Sequence, residues 1–455
     1  MKHNSKIHFS SFIVTTLFFL GCSFENERTL NTPDIYTNDT TKTAFSNMQK
    51  LNTQEEETFI LGKSFFSIPW VEAPSATTAR DGLGPLFNAN TCKSCHQNNS
   101  AGIVLNQDAT LNHSLVLRLS IAQNIHHDLI NTIGFIPEPI YGVQLATNGN
   151  IKVPFEGKIS VSYEKIKGNY TDGEHFELTM PTYSISHLNY GATSQNLNIA
   201  PRLALPLVGL GLLEDISAKD ILKNEDVNDL DGDGISGKAN KVYSPQHKIM
   251  MLGRFAYKAT AVDIKHQSAN AALNDMGLTN PLYPQENCTQ FEKECLNAPK
   301  DEAEFDLPIQ RLNAISFYLK SLQIPKSRVN KNFLEGEKIF QSLECTKCHI
   351  STFVTQTGIT IHPYSDLLLH DMGKDLDDGH VDFQANTSEF RTTPLWGIGL
   401  REKLSGGLYL LHDGRARSFP EAILWHGGEA QKAKEAFKAL EKQSRKYLID
   451  FLKGL

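Results

Sequence analysis

Cys92-Lys93-Ser94-Cys95-His96 and Cys345-Thr346-Lys347-Cys348-His349 set two thiols and an imidazole at one spacing, twice in one chain. Cys-x-x-Cys-His is the attachment signature of c-type haem. The thiols add across the haem vinyl groups, and the histidine supplies an imidazole to the iron. One helical turn brings both sulfurs and the ring to one face. Each motif also has a Phe five residues before its first cysteine, Phe87 and Phe340. A structural zinc site needs four clustered ligands, and each motif offers three. A thioredoxin-like redox pair needs a βαβ setting, which neither motif has. The spacing predicts two covalently bound haem c groups, held by Cys92, Cys95, Cys345 and Cys348, with His96 and His349 as iron ligands.

The other three of the seven cysteines are Cys22, Cys288 and Cys295. Cys288 and Cys295, flanked by Pro284 and Asn287, read as a short loop closed by a disulfide. Cys22 follows a charged start at Lys2 and Lys6 and an apolar run from Phe9 to Leu20. That pattern is an export signal. Gly21-Cys22 resembles the lipobox of bacterial lipoproteins, in which the mature chain begins at a lipid-modified cysteine; an ordinary cleaved signal peptide is the alternative. The expected location is the bacterial periplasm or cell envelope, with the membrane reached through the lipid anchor only. A net charge of −7 argues against nucleic acid as a partner. With 40% hydrophobic and 21% charged residues, the composition is that of an ordinary globular protein.

These motifs need elements to carry them, and 455 residues allow two or more domains. The signal occupies 1–22, and 23–55 is polar enough to be a tether. An N-terminal haem domain is expected over 56–323. Within it, about 140–186 alternates with period two (Ile159, Val161, Tyr163; Phe176, Leu178, Met180), which predicts a small β-rich insertion. Leu205 to Leu213 reads as a core helix. Leu307, Leu312, Ile315, Leu319 and Leu322 lie at helical spacing and close that domain. A linker at 324–332 leads to a C-terminal cytochrome c-like domain at 333–455, ending in an amphipathic helix with Leu448, Phe451 and Leu452. The expected fold class is mainly α, with two cytochrome c-like haem domains, the first enlarged by the insertion.

One further loop carries ligand chemistry. Asp229, Asp231 and Asp233 alternate ahead of Gly234, as carboxylates do in a calcium loop. Asn240 stands where an EF-hand has its bidentate Glu, so the expectation is a partial calcium site, weighed against a solvated acidic turn.

Phe390-Arg391-Thr392-Thr393-Pro394-Leu395-Trp396, His412-Asp413-Gly414-Arg415-Ala416 and Glu421-Ala422-Ile423 resemble the bacterial di-haem cytochrome c peroxidase superfamily. Asp81-Gly82-Leu83-Gly84-Pro85, Pro139-Ile140-Tyr141-Gly142, Asp231 to Gly237, Asp275-Met276-Gly277-Leu278-Thr279 and His370-Asp371-Met372-Gly373 narrow the resemblance to its di-haem oxidoreductase family, over residues 59–455. Some relatives carry the label thiol oxidoreductase. Both Cys-x-x-Cys pairs here are committed to haem, so thiol chemistry would have to run through the iron.

The resemblance implies an enzyme in which one haem takes electrons from a small redox donor protein or a quinol-linked cytochrome. The other reduces peroxide or a related small oxidant. Superfamily peroxidases ligate the C-terminal haem through Met shortly after His-Asp-Gly, which points here to His426, with Met372 as runner-up. The superfamily also sets a Glu and a Gln over the open haem face; the candidates here are Glu138 and Gln144 as catalytic residues. His113 is instead a residue that could close that face. The alternative function is an electron-transfer cytochrome with both haems six-coordinate and no catalytic activity.

Overall fold

The computed structural model describes residue 1 and residues 34–122, 128–150, 152–300 and 303–455. The export signal with Cys22 and the first part of the expected tether lie outside the described residues. Two helix pairs anchor the fold. Helix α1 (Thr53–Ser67) starts at a capping box: Asn52 Oδ1 accepts from Glu55 N at 3.0 Å, and Glu55 Oε2 accepts from Asn52 N at 2.9 Å. It packs on α3 (Ile309–Lys320), after α2 (Ile264–Met276) in the chain. Helix α4 (Lys331–Ser342) packs in the same way on the last helix, α6 (Lys442–Gly454), with α5 (Phe419–Trp425) between them in sequence.

Each crossing is made at a glycine. A Cβ on Gly62 would lie 1.9 Å from the Ala314 carbonyl oxygen, and one on Gly336 would lie 2.0 Å from that of Tyr447. Neither position tolerates a side chain without parting the helices. Beside each crossing a phenylalanine faces a motif histidine: Phe66 to His96 at 6.4 Å between ring centroids, and Phe340 to His349 at 6.0 Å. The counterpart of Phe340 is therefore Phe66. Phe87 instead lies in a two-residue strand paired with Asn148.

The mainly α expectation is overturned. Helix makes up 30% and strand 20% of the chain. Strand β1 (Leu115–Ile121) pairs antiparallel with β4 (Leu197–Leu203). Strands β2 (Lys158–Asn169) and β3 (His175–Ser186) form a hairpin of twelve residues a side. The period-two reading of 158–186 holds; β1 alternates too, with Leu115, Leu117 and Leu119 on its buried face, but it lies outside the expected insertion. The expected helix over 205–213 is shortened to Leu210–Glu214.

The described residues from 34 to 455 pack as one unit. The larger core joins Phe59, Phe66, Leu312 and Ile315 to Phe353, Ile361, Leu368 and Trp396. It thus runs across the expected linker, where Ile324 and Pro325 form a parallel strand with Tyr36 and Thr37. The described part of the tether is accordingly packed, with Ile35, Ala44 and Phe45 buried. The β2–β3 hairpin reaches the second core: Tyr170 and Leu178 pack there with Phe437, and Arg445 holds Asp172 and Glu174 at 2.7 and 2.6 Å. Among the described residues no helix is long and apolar enough to cross a membrane.

Candidate functional site

Thr91 caps the turn Cys92–Cys95, its hydroxyl oxygen accepting from Ser94 N at 3.0 Å. That turn sets Cys92, Cys95 and His96 on the wall of one cavity of about 260 Å³. His96 Nδ1 lies 2.8 Å from the Leu205 carbonyl oxygen. With Nδ1–H donating there, Nε2 keeps the lone pair a metal takes. Burial lowers the His96 pKa to about 4, so the ring is neutral, as a ligand must be. Burial also pushes the Cys92 thiol up to about 12. Both cysteines are free.

The second motif repeats this geometry. A turn at Cys345–Lys347 follows α4 and brings Cys345, Cys348 and His349 to a cavity of about 230 Å³. His349 Nδ1 lies 2.8 Å from the Tyr364 carbonyl oxygen, and burial lowers its pKa to about 4. His426 and Met372 line the same cavity. His426 ends α5, whose start is capped by Ser418. Its Nδ1 is spent on the Ala422 carbonyl at 2.7 Å, which again leaves Nε2. Burial lowers the pKa of this ring as well.

The residues present fit haem. Two thiols and one neutral imidazole border each cavity, and buried nitrogen atoms of two arginines and a histidine stand ready for haem carboxylates. Among the described residues, Arg401 Nε and Nη2 and His412 Nε2 at the second cavity lack a hydrogen-bond partner, as does Arg202 Nη2 at the first. Each unsatisfied buried donor costs about 1–3 kcal/mol, and a bound carboxylate removes that cost. Leu205, Tyr257, Arg391 and Thr393 line both cavities, so the two sites stand back to back on one wall.

Of the two residues expected over the first haem, one is at the cavity. Gln144 borders it and donates from Nε2 to Asp275 Oδ1 at 2.7 Å and to the Asn274 carbonyl at 3.0 Å. Glu138 does not border it, which corrects the catalytic expectation for this residue. Its Oε2 accepts from Ile140 N and Tyr141 N at 2.6 and 2.7 Å, and its Oε1 accepts from Ser194 N and Oγ at 2.9 Å. That carboxylate is consumed in holding a turn. The acids at the cavity are Asp275, on α2, and Asp382, and it is Asp275 that meets Gln144. Burial raises its pKa, against the lowering effects of Gln144 and Arg118. Its only sequence signal was its place in the Asp275-Met276-Gly277 motif. Arg118 and His113 also border the first cavity.

The acidic loop divides in two. Asp226, Asp229 and Asp231 bring carboxylate oxygens within 4.8 Å of one another. Asp233 is not among them, which corrects the expected ligand set: it turns to Lys347 at 2.7 Å. Ser236 Oγ donates to Glu429 at 2.6 Å, and Glu429 lies 2.6 Å from His370 Nδ1, so the loop braces the second cavity. Cys288 and Cys295 are joined in a disulfide with a Cα separation of 5.8 Å.

No curated protein matches the chain. Among solved structures, Kuenenia stuttgartiensis hydrazine synthase pressurised with 20 bar xenon is similar at 16% identity over 60% of this chain and 99% of its own. Its TM-score of 0.24 is too low to inform the fold. The family model described as "Di-haem oxidoreductase, putative peroxidase" matches residues 29–455, and the chain belongs to that family.

Proposed function

We propose that the chain is a di-haem c-type oxidoreductase that reduces peroxide or a related small oxidant at the first cavity, using electrons delivered through the second. The pairing of Gln144 with Asp275 at the first cavity carries this reading. Reducing hydrogen peroxide to two waters takes two electrons and two protons, and the leaving oxygen needs a proton as the O–O bond breaks. Asp275 borders the cavity, and its burial raises its pKa, which favours the protonated form a proton donor needs. Gln144 orients the carboxyl through Oδ1. Haem bound there supplies one-electron steps and a coordination position for the oxidant.

In this reading Cys92, Cys95, Cys345 and Cys348 would attach the haems, and His96 and His349 would ligate their irons. His426, with Nε2 uncommitted at the second cavity, would ligate the second iron, and a haem held so would supply electron transfer. A small redox protein or quinol-linked cytochrome is the donor. The pairs of thiols spent on haem, the Cys288–Cys295 disulfide and the apolar run ending at Cys22 support an exported, lipid-anchored protein.

Electron paramagnetic resonance of the oxidised and half-reduced holoprotein tests the reading. A high-spin ferric signal consumed by peroxide is expected. His113 at the first cavity favours a second reading, an electron-transfer cytochrome with both irons closed. Low-spin signals in both states, indifferent to peroxide, would establish that reading instead.

A further inference from the structure

We infer that Glu156 and Glu292 share one proton, and that this proton latches the disulfide-closed loop 288–295 onto the segment that brings Gln144 to the first cavity, a hold that loosens as pH rises. The latch rests on the reading above only in what it controls, the Gln144–Asp275 pair.

Both carboxyls are out of water, with Glu156 2% and Glu292 0% exposed. They hydrogen-bond each other. An ionised carboxylate only accepts, so two in contact need a proton between them. Glu156 Oε2 accepts from Ala146 N, and Glu292 Oε2 accepts from Thr289 N at 2.6 Å. Among the described residues, Glu292 Oε1 is buried with no N–H or hydroxyl to accept from. The further charge acting on both groups is that of a third acid, Glu138. The oxygens of Glu138 are taken up by Ile140 N, Tyr141 N and Ser194, so it offers the pair no donor. Burial raises the Glu156 pKa, and the hydrogen bond and charge of Glu292 raise it further.

The pair joins two segments distant in the chain. The Cys288–Cys295 disulfide closes the loop around Glu292 and lies in one apolar cluster with Leu86, Ala146 and Val153. Thr289 Oγ1 donates to the Ile140 carbonyl at 2.7 Å. Glu156 grips Ala146 twice, through its carboxyl and through its own N, which donates to the Ala146 carbonyl at 3.0 Å. Gln144 stands two residues before Ala146, on the wall of the first cavity. The phenols facing the acids are Tyr141 and Tyr190, and burial raises both pKa values, so neither titrates with the carboxyls. Glu294 adds negative charge beside Tyr190.

Opening the latch exposes both carboxyls to water, where they ionise in the ordinary range, so opening releases the shared proton. The closed form is fully favoured below that range. It loses up to about tenfold per pH unit as pH rises toward the paired value. Beyond it, two buried like charges repel.

The test uses the disulfide-intact holoprotein. Hydrogen-exchange protection factors over 144–146 and 289–295, corrected for intrinsic pH dependence, are measured from about pH 5 to pH 9 in wild type, Glu156→Gln and Glu292→Gln. A glutamine at either place gives the pair a permanent N–H donor and keeps an oxygen for Ala146 N or Thr289 N. Infrared spectra are searched for the C=O stretch of a buried protonated carboxyl. The expected result is protection that falls by up to about tenfold per pH unit in wild type and stays flat in both variants, with a carboxyl band that both variants lack. Flat protection in wild type, a slope kept in both variants, or a missing band overturns the latch. A divalent cation retained by dialysed wild type and lost from Glu156→Gln overturns it too, by setting a metal where the proton is placed. Peroxide turnover is followed in parallel. Its absence at every pH, with exchange as expected, counts against the peroxidase reading and leaves the latch standing.

Discussion

Lys347, inside the second haem motif, sits 2.7 Å from Asp233, which lies in an acidic loop far earlier in the chain. The hydrogen bond to Lys347 holds the Asp233 carboxyl below its usual pKa. A carboxylate with a depressed folded pKa stabilises above its unfolded value and loses that contribution as pH falls through the folded one. Hydrogen-exchange protection factors over 229–237, corrected for the intrinsic pH dependence of exchange, are therefore expected to fall on acidification below the ordinary carboxylate range. Asp233→Asn should show the lowered protection already at neutral pH.

His370 lies between two carboxylates, Asp366 at 2.7 Å from Nε2 and Glu429 at 2.6 Å from Nδ1. Burial opposes its charge, but hydrogen bonds to Asp366, Cys348 and Glu429 outweigh it and raise the pKa well above 6.5. A raised pKa stabilises fully below the unfolded value and loses that contribution as pH rises through the folded one. His370→Phe leaves two carboxylates without their cation, a loss of about 3–5 kcal/mol. Denaturant unfolding at pH 6 should show the full loss, and the gap to wild type should narrow on the alkaline side.

Asp275→Asn keeps the shape of the side chain and its contact with Gln144 while removing the acid. Peroxide turnover is expected to fall about 10²–10⁴-fold. Haem content, measured by absorbance of the reduced pyridine adduct, should stay at two per chain. Glu138→Gln should leave turnover within a small factor, because that carboxylate serves the 138–142 turn and Ser194.

His426→Ala removes an imidazole that borders the second cavity with Nε2 uncommitted. The second haem is expected to change from low-spin to high-spin in its ferric resonance spectrum. A spectrum that stays low-spin would assign the position to Met372, which Met372→Ala then checks.

Arg445 ties the tip of the β2–β3 hairpin to α6 through Asp172 and Glu174, and its guanidinium lies 3.9 Å over the Tyr170 ring. Arg445→Met should release the tip. Limited proteolysis is expected to cut near 170–174 in the variant and spare the wild type.

Local chemistry was readable in the chain because it depends on spacing within one turn. Cys92, Cys95 and His96, and again Cys345, Cys348 and His349, needed only a helical turn to share a face, and each set borders a cavity. The hairpin over 158–186 was equally visible, because one period-two pattern specifies two strands and the turn between them. Strand β1 alternates as well, with Leu115, Leu117 and Leu119 on its buried face, but its partner β4 lies beyond the hairpin, and no local pattern ties the two together.

Glu138 and Asp275 mark the limit. Glu138 flanks a recognisable motif and Asp275 opens one, and nothing local says which of them reaches a cavity. Glu138 spends its oxygens on amides two and three residues ahead and on Ser194, whereas Asp275 meets Gln144 from 131 residues away. The same applies to Phe66 and Phe87, and to Asp233, whose partner is the lysine of the second haem motif. By itself the sequence determined which residues can attach haem and how each local element forms, because those follow from backbone periodicity and side-chain chemistry. Tertiary structure alone decided which acid reaches a cavity, which arginines lack partners and that Tyr257 stands between two sites. Those outcomes depend on contacts between distant segments, and no spacing along the chain encodes them.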